Sequence, residues 1–362
     1  MKRIICLIDS LGAGGAQRQL VGLAAALKGC GYDVEVAIYH RDFFYLDILK
    51  EAQVPCELIK GASSKYKRFW LIAKYLQRKS PDVVVAYLDS PCICACIAKL
   101  LNHKFKLIVS ERNTTQRLSF QEKMKFYLYR FADRIVPNSF TQGQFIKNNY
   151  PNLERKIDVI TNFIDIKSFV PSEQMQNNAI PQVISVGRTT VQKNYLNMVE
   201  AVNILVQKGV VAHFNWYAKS FEDQYRYEIN ERIKAYHLEH VISIYEPVED
   251  IADRYRESDI FWLASYFEGF PNVLCEAMAC GLPVACSNVC DNPYIVNGMD
   301  NGVLFDPNSP QDMADKIALL LQKTIEEKHQ MSLNNVNRIQ ELCSFNTFIS
   351  HYRRLIDDLK MN

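Results

Sequence analysis

The sequence predicts an α/β protein built from two Rossmann-like parallel-sheet domains, and three observations carry that expectation. At 362 residues the chain is long for one core and comfortable for two, and 48% hydrophobic content supplies both. From Arg3 to Tyr39 the chain reads strand, glycine turn, helix, strand. Such a β-α-β unit belongs to a parallel sheet whose ligands bind at the carboxyl ends of the strands. A second strand followed by a glycine opens at Gln182, halfway along the chain.

In order, Arg3 to Ile8 is a first strand, Gly12, Gly14 and Gly15 a turn, Gln17 to Lys28 a helix and Tyr32 to Tyr39 a second strand. The opening residues have a basic tip and an apolar run, but the run is short and passes into Asp9 and glycines, so it reads as a strand and not a leader. The glycines lack the G-x-G-x-x-G spacing of a dinucleotide fingerprint, which leaves a nicotinamide-dependent enzyme a weak alternative. Val83 to Tyr87, Leu107 to Ser110 and Arg134 to Pro137 are further strands. Glu111, Arg112 and Asn113 follow directly on one of them, where charged residues of an α/β fold reach the ligand edge. Within Arg117 to Arg134, Phe120, Met124, Tyr127, Leu128 and Phe131 share one helical face and are expected in the core. Lys123, Phe126 and Arg130 fall on another face, and the stretch Lys65 to Ser80 is likewise basic and aromatic.

The stretch Ile157 to Ser172, IDVITNFIDIKSFVPS, passes from strand-like into polar and proline-containing sequence, and Asn177 to Pro181 continues the break. The expected organisation is a domain over 1–165, a linker over 166–181, a second domain over 182–344 and a helical segment over 345–362. The second domain opens with the strand Gln182 to Val186, then Gly187, Arg188 and, past a short loop, Lys193. A glycine for close backbone approach with two cations beside it suits phosphate. Phe214 to Ala218, Val241 to Pro247 and Asp259 to Ala264 continue the strand pattern into the densest motif, EGFPNVLCEAMACGLP, from Glu268 to Pro283. Gly269, Phe270 and Pro271 form a loop, Asn272 is a helix cap, Val273 to Cys280 a short helix, Gly281 its stop and Leu282 to Cys286 a buried strand. A helix start offers unpaired N–H groups and partial positive charge to a diphosphate. Glu276 is placed to accept hydrogen bonds from a ribose, and Glu268 from the group beyond the diphosphate.

That motif resembles the signature of the retaining glycosyltransferases of family 4, which have the two-domain GT-B fold. The resemblance implies two Rossmann-like domains facing a cleft and a C-terminal helix packing back on the first domain. It implies catalytic roles for Glu268, Arg188 and Lys193, with Arg188 and Lys193 on the donor diphosphate and Glu268 on the sugar. It places Gly14, Gly15, Gly187, Gly269, Phe270, Pro271, Asn272, Val273, Leu274 and Glu276 around the donor, and Glu111, Arg112 and Asn113 on the acceptor side. Asn162, Asp165, Phe169 and Pro171 match the family's linker. Ala218, Lys219 and Ser220 replace a glycine turn common in the family, and Asp291, Asn292 and Pro293 replace its paired glycines, so base and substrate recognition depart from the usual pattern.

The implied activity is transfer of a sugar from a nucleotide diphosphate sugar, UDP preferred, to a hydroxyl of a glycan or lipid-linked oligosaccharide in surface polysaccharide assembly. The alternative is a non-catalytic nucleotide-sugar-binding subunit or sensor. No cofactor or metal is expected: Cys92, Cys94 and Cys96 alternate without zinc spacing. A glycosidase is less attractive, because its two carboxylates must flank the scissile bond. Residues 1–165 hold 25 Lys and Arg against 15 Asp and Glu, and residues 166–362 hold 17 against 25, so a net charge of +2 conceals halves of +10 and −8. The basic half suits an anionic membrane surface, and no nucleic-acid partner is expected. Eleven cysteines, mostly in apolar runs, and no stretch of about eighteen apolar residues fit a cytoplasmic protein, peripheral on the inner face of the cell membrane.

Overall fold

The computed structural model describes residues 1–101, 104–115, 117–173, 178–298 and 300–359. The beginning of the expected break at Asn177 and the end of the last segment at 360–362 lie outside the described residues. The chain divides into one unit of residues 1–163 with 346–362 and another of 164–345.

The first unit runs β1 (Arg3–Leu7), α1 (Gly15–Gly29), β2 (Asp33–Ile38), α2 (Leu46–Glu51), β3 (Cys56–Leu58) and α3 (Arg68–Lys79). It continues β4 (Val83–Tyr87), α4 (Asp89–Leu101), β5 (Lys106–Glu111), α5 (Phe120–Tyr129), β6 (Arg134–Pro137) and α6 (Phe140–Asn149). Its six strands pair in the order β3-β2-β1-β4-β5-β6, all parallel. Both faces are covered, which is why β4 is VVVAY without a polar residue. Pleat alternation divides β1: Ile4 and Cys6 pack with α1 and α2, while Ile5 and Leu7 pack with α3, α4, α5 and α6.

The second unit repeats the plan with β7 (Gln182–Thr189), α7 (Tyr195–Gln207), β8 (His213–Ser220), α8 (Asp223–Ala235), β9 (Ile242–Tyr245) and α9 (Ile251–Arg256). It continues β10 (Ile260–Leu263), α10 (Asn272–Ala279), β11 (Val284–Ser287), α11 (Asn292–Val296), β12 (Gly302–Phe305), α12 (Pro310–Leu321) and α13 (Ile325–Cys343). The parallel order β12-β11-β10-β7-β8-β9 is the same winding. One face carries α7, α8 and α12 over Trp216 and Trp262, and the other carries α9, α10, α11 and α13. The last helix, α14 (Phe345–Asp358), has the first unit's core as its partner. Its Tyr352 hydroxyl meets that of Tyr87 on β4 at 2.8 Å.

In each sheet the winding reverses once, between β1 and β4 and between β7 and β10. At such a switch point two loops diverge and leave a crevice at the carboxyl edge. The loop after β1 carries the glycines; the end of β7 and the turn after it carry Gly187 to Lys193, and the loop after β10 carries Glu268 to Pro271.

One expectation is reversed for three of its five residues, while Leu128 is half-buried against the core and Phe131 is half-buried. On α5 it is Lys125, Phe126 and Tyr129 that are buried, while Phe120, Met124 and Tyr127 are exposed. The helix is turned by charge: Lys125 Nζ lies 2.9 Å from Glu111 Oε2, 2.9 Å from Glu122 and 3.2 Å from Asp89.

Candidate functional site

The switch point of the second unit assembles a compact charged group. Lys193 closes the 3-10 turn Val191–Lys193 after β7, and Glu268 sits on the loop after β10. The Lys193 ammonium donates to Glu268 Oε1 at 2.6 Å, and the Ser265 hydroxyl donates to the same oxygen at 2.5 Å. Both charged side chains are about nine-tenths buried, at 11% and 9% exposure. An ammonium has three protons, so this pair leaves Lys193 with capacity for further oxygens.

Asn194 fixes that geometry. Its backbone is left-handed, with φ of 63°, and its amide donates to the carbonyls of Ala264 at 3.1 Å and Pro307 at 2.7 Å. The loop after β7 is thereby tied to the ends of β10 and β12. Gly187 lets the lysine pass: a Cβ there would stand 3.4 Å from Lys193 Cε and 3.3 Å from the Tyr195 hydroxyl. Ser287 on β11 donates to the Ser265 carbonyl at 2.7 Å, and the Glu268 amide meets the Cys290 thiol at 3.5 Å. Sequence reasoning passed over Ser265 and Cys290; a serine three residues before the first motif glutamate was the available signal for Ser265.

The motif helix starts one residue earlier than expected. Pro271 is the cap and Asn272 the first residue of α10, with no side chain capping the turn. Proline cannot continue a hydrogen-bonded turn, so it marks the boundary itself. The far end is a Schellman turn, with the Leu282 amide donating to the Ala277 carbonyl and the Gly281 amide to the Met278 carbonyl at φ of +80°. Glu276 lies in the second turn, 7% exposed. The Phe270 and Leu274 side chains are in the hydrophobic core, which leaves only their backbone to meet a ligand. Gly269, Asn272 and Val273 are half-buried. Arg188 is exposed on the last part of β7, with its guanidinium 4.9 Å from the Phe221 ring.

In the first unit Gly14 caps α1 and Gly15 is its first residue, again without a side-chain cap. A Cβ on Gly14 would stand 2.2 Å from Gln17 Oε1, so a side chain there would displace the glutamine amide. Glu111 faces inward, fully buried, held by Lys125 and the Tyr129 hydroxyl. Burial raises its pKa against the opposing pull of Lys125. This corrects the expectation that Glu111 meets an acceptor: it holds α5 in place. Arg112 is also buried, donating at 2.8 Å to Asn162 Oδ1 and at 2.8 Å to the Tyr352 hydroxyl, with its guanidinium 3.9 Å from the Tyr87 ring centre. It braces β5 against α14, while Asn113 is exposed beyond it. Among the described residues no group of three or more His, Cys, Asp or Glu could hold a metal ion.

A family model described as Glycosyltransferase Family 4 matches residues 13–168, and one described as Glycosyl transferases group 1 matches residues 171–338. The chain is 25% identical, over 99% of both chains, to the Campylobacter jejuni enzyme named GalNAc-alpha-(1->4)-GalNAc-alpha-(1->3)-diNAcBac-PP-undecaprenol alpha-1,4-N-acetyl-D-galactosaminyltransferase. It is 26% identical to the amylovoran biosynthesis glycosyltransferase AmsD of Erwinia amylovora, over 85% of this chain and 87% of that one. The structure of Anabaena HepE in complex with UDP and glucose superposes with a TM-score of 0.85, covering 99% of this chain and 100% of that one at 19% identity.

Proposed function

This chain is a glycosyltransferase belonging to family 4, with the GT-B fold, and from that premise we propose that it moves a sugar from a UDP-sugar to a hydroxyl of a lipid-linked oligosaccharide. Transfer proceeds with retention of the donor's anomeric configuration and without a metal ion. The observation that carries this reading is the Lys193–Glu268 pair at the β7/β10 switch point, on the loops that lead to α7 and α10. A cation and a carboxylate held together there serve the two ends of one donor, its diphosphate and its sugar.

In this reading Lys193, Arg188 and the first turn of α10 take the diphosphate, and the backbone from Gly269 to Leu274 lies along it. Glu276 accepts from the ribose hydroxyls and Glu268 from those of the sugar. Gly14 and Gly15, at the start of α1, are read as further donor-binding residues. As the sugar–phosphate bond breaks, the cations stabilise the charge on the leaving oxygen, a contribution of about 3 kcal/mol per donor group. The acceptor oxygen forms the new bond on the same face of the sugar, and its proton passes to the departing phosphate. Arg112, through its bracing of α14, and exposed Asn113 shape the acceptor side.

UDP is supported by HepE, solved with that nucleotide, and the lipid-linked acceptor by the undecaprenol diphosphate in the Campylobacter enzyme's name. The basic first unit supports work at an anionic membrane surface. The test is nucleotide release from UDP-, GDP- and ADP-sugars, with and without a membrane lipid extract. Release from a UDP-sugar alone, stimulated by lipid and yielding an α-linked product, is expected. Tight donor binding with no release under any condition would overturn the enzymatic reading in favour of a nucleotide-sugar-binding subunit.

A further inference from the structure

We propose that the outward faces of α3 and α5 form the surface by which the first unit docks on an anionic lipid bilayer. The inference rests on the membrane-lipid reading above and gives it a place in the fold.

The rotation of α5 is the central observation. A helix whose apolar stripe could be buried normally buries it. Here Lys125, 3% exposed among three carboxylates, shares the inward face with Phe126 and Tyr129, and the stripe Phe120, Met124 and Tyr127 stands in solvent at 79%, 44% and 50% exposure. Buried ion pairs are weak sources of stability, and in some proteins they specify one arrangement over another. This one specifies that three apolar side chains face outward. On α3, Ile72, Tyr75 and Leu76 fill the core while Trp70 and the preceding Tyr66 are exposed at 61% and 89%.

The two helices belong to one surface. Both lie on the same face of the sheet, with α4 packed between them. Each connects parallel strands and so starts at the carboxyl edge, the edge that also carries Asn113. Tyr66 and Trp70 on one side of α4, and Phe120 and Met124 on the other, therefore stand at the carboxyl-edge ends of their helices.

Charge identifies the occupant. Lys65, Lys67, Lys74, Lys123, Arg117 and Arg130 are exposed around these aromatics. Residues 65–80 contain no acidic residue, and residues 117–130 contain Glu122 alone, whose carboxylate is engaged by Lys125. Aromatic rings flanked by long basic side chains suit the boundary between acyl chains and anionic headgroups, where the rings enter and the ammonium groups stay at the phosphate level. A lipid-linked acceptor held in that layer would present its glycan at the same edge.

The test uses the full chain with vesicles of phosphatidylcholine alone or with added phosphatidylglycerol. Of the three tryptophans, Trp216 and Trp262 are fully buried and Trp70 is exposed, so a vesicle-induced blue shift of emission reports Trp70. Binding confined to phosphatidylglycerol vesicles, weakened by salt and accompanied by that shift, is expected. Phe120→Ser with Met124→Ser should weaken binding at least tenfold, and Lys65→Glu with Lys67→Glu and Lys123→Glu should abolish the preference for anionic vesicles. Absence of binding, equal binding to both vesicles, binding without the Trp70 shift, or unchanged binding of either variant would overturn the proposal. Nucleotide release in vesicle-free buffer tests the catalytic reading separately: its loss alongside intact vesicle binding would refute that reading and leave the docking face standing.

Discussion

Replacing Lys193 by methionine separates what the lysine does for the fold from what it does for the reaction. The Lys193–Glu268 pair is short, at 2.6 Å, and its side chains are 11% and 9% exposed. Breaking a buried pair by removing one partner costs about 3–5 kcal/mol, and the residual exposure here brings the expected loss to about 2–3 kcal/mol. In a Trp70→Phe background the remaining tryptophans, Trp216 and Trp262, both lie in the second unit's core, so urea unfolding followed by fluorescence reads that unit. Lys193→Met should lower its unfolding free energy by that amount. Adding Glu268→Gln should recover at least half of it, because the neutral amide still meets Ser265 and no charge remains uncompensated. A single-variant loss below about 0.5 kcal/mol, or a double variant equal to the sum of the singles within that margin, would refute the reasoning. The single and double variants should each release nucleotide at least about 10²-fold more slowly than the wild type, whatever their stability.

Asn194→Ala removes two buried hydrogen bonds and puts a Cβ-bearing residue without local hydrogen bonding at φ of 63°. It should cost about 2–3 kcal/mol in the same unfolding assay and slow nucleotide release by loosening the turn that ends in Lys193. Gly281→Ala, at φ of +80° with Ser332 Oγ 2.3 Å from the added Cβ, should cost about 1–2 kcal/mol or more by thermal unfolding. Thiol accessibility gives an independent check. Of the eleven cysteines only Cys30 is exposed. Burial pushes Cys94 up to about 11 and Cys280 up to about 12. A disulfide dye should titrate one thiol quickly in the native protein, Cys56 and Cys290 slowly, and the rest on unfolding; rapid reaction of several thiols would contradict the packing.

Much of the architecture was legible because both sheets are covered on both faces, which makes their strands continuous apolar runs. Val83–Tyr87 and Arg134–Pro137 stand where the apolar runs placed them. Strand β3 gave no such signal, since its three residues are half-buried at the sheet edge. Helix α4 hid in a run of cysteine and alanine that serves helix or strand equally. The orientation of α5 was illegible for a different reason. Its inward lysine is stabilised by Glu111 and Asp89, partners brought in by other elements, and no count of local periodicity contains them. Glu111 failed in the same way: its place after a strand was clear, but pleat direction and the partners Lys125 and Tyr129 decided that it faces inward. In the second unit the motif marked Glu268 and the glycine loop marked Lys193. Their meeting depends on the β7/β10 switch point, a property of strand order that the sequence states nowhere.

The central claim is that the Lys193–Glu268 pair works on a nucleotide sugar. It is tested most directly by donor turnover and donor binding measured together on the wild type and Glu268→Ala. The account expects nucleotide release to fall by roughly 10²-fold or more in the variant, with donor binding measured by calorimetry retained within about tenfold. Release by Glu268→Ala at the wild-type rate, with the protein folded, would place the chemistry elsewhere and contradict the account.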